Sequence, residues 1–196
     1  MKKSLLAMLL AVALVAPVFA AKNMWIGGNL GYEKTAPKDG DSDITWSVAP
    51  EFGYSLNETW DIGIDLAYSS YEGPTLNYKK LSLGNDKVTA IKIAPFARYK
   101  IFSIGSFDIL AKGTIFFESA KVDNADASVD SYGIAIAPVV TYSINETWSI
   151  GCTLDFAEIG YSHAKGDDKI GDPEVDEFGF NLNDGSIISV GFSYHF

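Results

Sequence analysis

The sequence has few of the residues with which proteins build reactive or metal-binding sites. Cys152 is the only cysteine among 196 residues, so no disulfide forms within the chain. Histidine occurs twice, as His163 and His195. No zinc-ligand spacing, phosphate-binding glycine loop or dinucleotide fingerprint is present. We therefore expect no cofactor.

Basic charge is also scarce. The chain has 15 Lys and Arg residues against 25 Asp and Glu residues, which gives a net charge of −10. Without Lys2 and Lys3 the charge becomes −10 − 2, or −12. An acidic chain repels phosphates, so we expect no nucleic-acid partner.

Only the N-terminus has a long apolar run. It reads MKKSLLAMLLAVALVAPVFAAK, with two lysines, an apolar segment at 5–15 and small residues before Ala21. This pattern predicts a signal peptide at 1–20, cleaved between Ala20 and Ala21, and one domain at 21–196. The run is shorter than the ~20 residues of a membrane-spanning helix.

The remainder shows no sustained helical period, and apolar residues recur at every second position instead. In WDIGIDLAY, at 60–68, the large apolar side chains alternate with Asp, Gly and Ala. Eight such runs predict eight strands, at 23–34, 44–55, 60–71, 87–100, 106–120, 130–143, 148–161 and 186–196. Short connections alternate with long polar ones at 35–43, 72–86, 121–129 and 162–185.

A hairpin unit recurs along the chain. VAPEFGYSLNETWDIG at 48–63 is repeated as IAPVVTYSINETWSIG at 136–151, and a weaker copy begins at 93. The Asn-Glu-Thr triplets predict tight turns, because Asn bonds its own backbone and tolerates the left-handed conformation. Each copy has a proline in the strand, namely Pro50, Pro95 or Pro138, which predicts a bulge or a strand end there.

The two faces of these runs predict a membrane barrel. The apolar face is too large to point into an eight-stranded interior, which side chains only just fill. The opposite face is small and polar with charges of both signs, which can pair inside a closed lumen. We therefore predict an all-β fold, an eight-stranded antiparallel up-and-down transmembrane β-barrel. The predicted lumen charges are Glu51, Asp61, Asp65, Lys92, Arg98, Asp108, Lys112 and Asp155.

Aromatic residues gather at the two ends of the runs, as in the interfacial girdles of membrane barrels. Those near the short turns are Tyr54, Trp60, Tyr99, Tyr142, Trp148 and Tyr194. Those near the long loops are Trp46, Tyr68, Tyr71, Tyr132, Phe156 and Tyr161. The alternative is a soluble periplasmic lipocalin-like barrel that binds a ligand, with the apolar face turned inward.

The end of the chain resembles that of the OmpA/OmpX-like family of small outer-membrane barrels. Alternating apolar residues lead to a terminal aromatic, namely Ile188, Val190, Phe192, Tyr194 and Phe196. In that family such an ending is the signal read by the barrel assembly machinery. The resemblance implies a Gram-negative outer membrane, contact with its lipid and lipopolysaccharide, and termini and short turns in the periplasm.

Two further hypotheses concern the segment 162–185. His163 lies beside Ser162 and near Asp167 and Asp168. These residues are candidates for the site of a loop-borne lipid hydrolase, although no motif links them. The acidic residues of the same segment are weak candidates for a cation site, namely Asp167, Asp168, Asp172 and Glu174. We expect instead a non-enzymatic monomeric barrel with a filled lumen, whose acidic loops have a structural role or meet an extracellular ligand.

Overall fold

The structure, a computed structural model, describes residues 23–35, 43–72, 76–78, 81–84, 87–123, 127–154, 157–167, 174–180 and 189–196. The predicted signal peptide with Ala20 and Ala21, and also Asp155, Phe156, Asp168, Asp172 and Ile188, lie outside these ranges. In the described part of the chain, no helix is long and apolar enough to cross a membrane.

The described ranges contain twelve strands. They are β1 (Met24–Thr35), β2 (Asp43–Ser55), β3 (Trp60–Glu72), β4 (Leu76–Tyr78), β5 (Leu81–Gly84), β6 (Lys87–Ile104), β7 (Phe107–Val122), β8 (Ala127–Ser143), β9 (Trp148–Thr153), β10 (Ile159–Gly166), β11 (Glu174–Phe180) and β12 (Ser189–His195).

Eight of these strands close into a ring. The antiparallel order β1-β2-β3-β6-β7-β8-β9-β12 returns to β1, where Trp25 lies opposite His195 and Asn29 opposite Gly191. The predicted eight-stranded antiparallel barrel is therefore confirmed. The two small strands β4 and β5 form a separate hairpin within the predicted long connection at 72–86.

The asparagine turns are confirmed as well. The side-chain oxygen of Asn57 accepts hydrogen bonds from the backbone N–H groups of Thr59 and Trp60, at 2.8 and 2.9 Å. Asn145 makes the equivalent two bonds in the second copy, both at 2.8 Å. The repeated sequence thus encodes one local geometry, a side chain that substitutes for a backbone acceptor.

Each repeated proline interrupts the ladder on the side of the next barrel strand. Pro50 pairs with Gly28 of β1, but no β3 partner faces it, and pairing resumes at Glu51 without a shift. Pro95 pairs with Ile64 and leaves a similar gap toward β7. Since proline has no N–H, one ladder bond is lost at each position.

At the third proline the interruption becomes a change of register. Thr153 lies opposite Val139, whereas Ile159 lies opposite Ile136. The segment that pairs with β8 therefore has three extra residues between Thr153 and Ile159. The predicted single strand at 148–161 is therefore wrong, and its place is taken by β9 and β10. Because three is odd, the faces exchange: even-numbered residues point outward in β9, and odd-numbered ones in β10.

Large apolar residues from every barrel strand point outward. Exposed examples from β3 and β6–β8 are Ile62, Ile64, Ile91, Ile93, Ile115, Phe117, Ile134 and Ile136. The soluble lipocalin-like alternative requires the opposite arrangement and is wrong. We call this exterior the apolar band. From Trp60 to Tyr68 it spans about 27 Å along β3 at ~3.4 Å per residue. At a tilt of ~40° its height is about 21 Å, near the ~25 Å of a membrane barrel.

Aromatic side chains pair at both edges of the apolar band. At the short-turn edge, Trp60 contacts Tyr99 at 4.9 Å between ring centroids, and Trp148 contacts Tyr194 at 5.1 Å. At the other edge, Trp46 contacts Tyr68 at 5.4 Å. The prediction for Tyr71 is wrong, because this residue packs against the buried apolar cluster inside the barrel.

The outward orientation of Ile64 predicts a cost for charge at that position. We expect Ile64→Arg to lower the free energy of unfolding by about 2–4 kcal/mol, as for Arg near the midplane of a bilayer. Leu56→Arg, on the exposed turn outside the apolar band, is the matched control and should leave stability nearly unchanged. Urea titration of the protein folded in lipid vesicles measures both values. Equal stability of Ile64→Arg and the wild type would contradict the orientation.

Candidate functional site: the lumen and the outer extension

An ionic layer crosses the lumen near the short-turn end. The Nζ of Lys112 on β7 lies 2.7 Å from Glu51 Oε2 and 2.7 Å from Asp65 Oδ2. The guanidinium of Arg98 on β6 lies 3.4 Å from Glu51 Oε1 and 3.1 Å from Asp61 Oδ2. Glu51 is thus shared by both cations. The structure brings together five of the residues that the sequence assigned to the lumen.

Aromatic rings inside the barrel cover these cations. Trp25 is 2% exposed, and the guanidinium carbon of Arg98 lies 4.1 Å from its ring centroid. The Phe96 ring lies 4.2 Å from Lys112 Nζ. Such cation–π contacts add to the stability of a desolvated cation. Alternation places Trp25 in phase with Gly27 and Asn29, so the sequence held the signal that assigns this ring to the lumen.

Glycines across from these rings create the space that they occupy. A Cβ atom on Gly53 would lie 2.0 Å from Trp25, and one on Gly63 would lie 2.3 Å from Phe96. Side chains at these two positions would therefore displace the rings from the ionic layer. The interior is built from large residues on some strands and glycine on their neighbours.

Three other predicted lumen charges lie away from this layer or outside the described residues. Asp108 Oδ2 pairs with Lys100 Nζ at 3.2 Å near the short turns, where both are partly exposed. Lys92 lies farther toward the long loops, with its Nζ 4.7 Å from the Phe116 ring centroid. Asp155 belongs to the undescribed positions 155–156 between β9 and β10.

Below the ionic layer the lumen is open. A cavity of about 450 Å³ extends from Arg98 and Glu51 to the short turns. Its acidic and basic residues lie on β2, β3, β6, β7 and, as Glu58, on the turn between β2 and β3. The strands β8, β9 and β12 contribute Thr141, Ser149, Gly151 and Ser193, together with His195. The sequence predicts a filled lumen, and at this end the structure has a cavity, lined by Leu110 and Val139 as well as by small side chains.

Beyond the apolar band, toward the long loops, the polarity of the two faces of the sheet is inverted: the interior is apolar and the exterior is polar. The buried cluster inside is formed by Val88, Ala90, Ala120, Val122, Ala127, Val129 and Ala164. The outward residues at the same height are polar, for example Thr89, Ser119 and Asp130. We call this part the outer extension, comprising 87–90, 119–122, 127–131, 162–166 and 174–177. It has the arrangement of a water-soluble sheet with its own core.

The outer face of the β10–β11 hairpin presents a cluster of titratable groups. His163 Nδ1 lies 3.0 Å from Asp176 Oδ1, and its Nε2 lies 3.5 Å from Glu174 Oε1. The Tyr161 hydroxyl donates a 2.6 Å hydrogen bond to the same Asp176 oxygen. The bond from Tyr161, together with that of His163, lowers the pKa of Asp176. The His163 ring packs on Tyr132 at 5.1 Å between centroids.

The hydrolase hypothesis for this segment fails on geometry. Ser162 is buried on the inner face of β10, whereas His163 points outward, so the two side chains cannot form a nucleophile–base pair. Asp167 lies at the end of β10, where its N–H donates to Ser128 O.

Only two of the four cation-site candidates lie in the described ranges, so the cation site stays a prediction. Asp167 and Glu174 lie in the described ranges, and Asp168 and Asp172 lie outside them. Over the described positions, no three or more His, Cys, Asp or Glu residues are arranged to hold a metal ion. The segment 162–185 is also not a loop throughout, since it contains most of β10 and all of β11.

The C-terminal residues lie at the seam of the barrel. Val190 and Phe192 are exposed on the exterior, and Phe196 stacks edge-on against Tyr194 at 5.0 Å. The Phe196 N–H donates a 2.9 Å hydrogen bond to Met24 O, so the last residue continues the pairing of β12 with β1. Ile188 precedes the described part of this strand.

The fold is similar to that of solved bacterial barrels. Neisserial surface protein A shares 14% sequence identity, with a TM-score of 0.52 over 89% of this chain and 98% of the neisserial chain. The outer membrane protein OprG from Pseudomonas aeruginosa shares 12% identity, with a TM-score of 0.47 over 89% and 96%. No protein-family model and no characterised protein sequence matches the chain. The chain has the fold of an eight-stranded outer-membrane β-barrel.

The shared carboxylate predicts that the ionic layer is sensitive to the loss of either cation. Lys112→Met leaves Glu51 and Asp65 with one buried partner fewer, and we expect a loss of about 3–5 kcal/mol in unfolding free energy. Lys100→Met removes a half-exposed partner of Asp108 and should cost less than about 1 kcal/mol. Denaturant titration in vesicles compares the two. Equal losses would mean that water, rather than Lys112, stabilises the charges of Glu51 and Asp65.

Proposed function

We propose that this chain is a non-enzymatic integral barrel of a Gram-negative outer membrane, related to the OmpA/OmpX-like proteins. The observation that carries the proposal is the apolar band between two levels of aromatic side chains, wrapped around an ionic lumen. Only a lipid environment makes such an exterior favourable, and only a closed barrel satisfies the backbone there. Outer-membrane lipid and lipopolysaccharide are the partners of this surface.

We propose that the short turns and both termini face the periplasm and the outer extension faces outside. The strands β6, β7 and β8 have 18, 16 and 17 residues, more than the 9–11 that cross a bilayer. Their surplus length forms the outer extension, whose polar exterior and apolar core suit water rather than lipid. This platform supports a role in contacts at the cell surface.

We propose that the lumen does not conduct solutes. Arg98, Lys112 and Glu51 line the cavity, and the apolar cluster of the outer extension lies farther toward the long loops. A permeating ion would have to separate salt bridges that have little contact with water. Pure protein in planar bilayers should therefore show no long-lived conductance.

The exterior predicts a requirement for lipid or detergent. Residues 22–196 should gain β-sheet circular dichroism and a heat-dependent gel shift only when detergent or vesicles are present. The physical reason is that the apolar band in water exposes large side chains from every barrel strand. A monomeric chain that melts cooperatively in plain buffer would overturn the membrane assignment.

The position of Phe196 at the seam predicts an assembly defect. By resemblance, the ending with Phe192, Tyr194 and Phe196 is the signal for the assembly machinery. Deleting Phe196, or adding residues after it, should lower the amount in the outer-membrane fraction and increase periplasmic degradation. Secretion should stay unchanged because residues 1–20 are intact. Phe102→Ala, another exposed aromatic near the short turns, is the control and should assemble normally. Wild-type assembly of both C-terminal variants would exclude a signal at Phe196.

A further inference from the structure

We propose that His163 is a pH-dependent clasp, which in its protonated form holds β11 against β10 in the outer extension. The proposal rests on the proposed function only in placing this hairpin outside the cell. It starts from the two nitrogen contacts of the ring, with Asp176 at 3.0 Å and with Glu174 at 3.5 Å.

The two ring nitrogens have different partners in the neutral state. A carboxylate only accepts hydrogen bonds, so the contact with Asp176 requires the proton of a neutral imidazole to be on Nδ1. The Nε2 lone pair then faces the carboxylate of Glu174, which is an unfavourable contact. Protonation of Nε2 converts that contact into an attractive ion pair with Glu174. One proton therefore changes the sign of an interaction between β10 and β11.

The position of His163 places this change between two paired strands. His163 and Asp176 are directly opposed residues of β10 and β11, and Tyr132 of β8 lies opposite His163 on the other side. The His163 side chain is 14% exposed, whereas those of Glu174 and Asp176 are about 60% exposed. The imidazole is thus held between two strands while its acidic partners lie at the surface.

Charged groups face the ring from every strand packed against it. Asp176 and Glu174 face the ring from β11, Tyr132 and Asp130 lie on the same face of β8, and Tyr161 and Lys165 flank it on β10. Three of these groups are acidic and one is basic. The clasp forms when the ring carries a proton on both nitrogens, because each nitrogen then faces a carboxylate as a donor.

Hydrogen exchange of the protein folded in vesicles tests the clasp. Backbone protection factors for 174–180, corrected for intrinsic exchange, are compared at pH 5.5 and 7.5. We expect about threefold greater protection at pH 5.5, the size of an exposed ion pair. Protection of residues 60–68 of β3, on the far side of the barrel, should not change with pH.

Variants identify the responsible group. His163→Gln should abolish the pH difference, whereas His195→Gln, which alters the only other histidine, should retain it. Glu174→Gln keeps the Asp176 bond and should reduce the difference, which tests the clasp even if His163→Gln misfolds. A wild-type protein without a pH difference, or a His163→Gln variant that keeps it, would overturn the proposal. These results do not depend on any extracellular ligand, so they are separable from failure of the proposed function.

Discussion

The closed ring of backbone hydrogen bonds is the constraint on which the rest of the structure depends. A spanning strand in lipid finds no water for its N–H and C=O groups, so each edge has to be paired within the protein. The seam between β1 and β12 meets this requirement, and the backbone of Phe196 extends it to the last residue. The three prolines interrupt the ladder only on one side each, so the ring remains continuous past them.

The number of strands in the closed ring limits the diameter of the lumen. Eight strands leave room for one layer of large side chains, provided that glycine lies opposite them. Trp25 and Phe96 use the space next to Gly53 and Gly63, and they lie against the cations of the ionic layer. In this small volume Glu51 joins both cations, and the two rings add cation–π contacts to them.

The environment of each face changes with height along the same strands. Within the apolar band the exterior is apolar and the lumen is ionic, whereas the outer extension has a polar exterior and an apolar interior. Period-two alternation continues through the boundary on β6, β7 and β8. Polar and apolar residues therefore have to exchange faces there. On the seventh strand the three extra residues between β9 and β10 exchange the faces themselves. The result is one continuous sheet that fits lipid below and water above.

The sequence by itself determined the barrel, its strand number, the asparagine turns and the polarity of each face, because these follow from local patterns of period two and from turn chemistry. It also assigned Glu51, Asp61, Asp65, Arg98 and Lys112 to the lumen, since alternation fixes direction. Tertiary structure alone decided which of these charges pair, because pairing depends on register between strands far apart in sequence. It also decided the division of the seventh strand, the open cavity and the inward position of Tyr71. The contact of His163 with Asp176 arises in the same way: a segment that looks like an acidic loop folds into a hairpin, and only the hairpin register places the imidazole between two carboxylates.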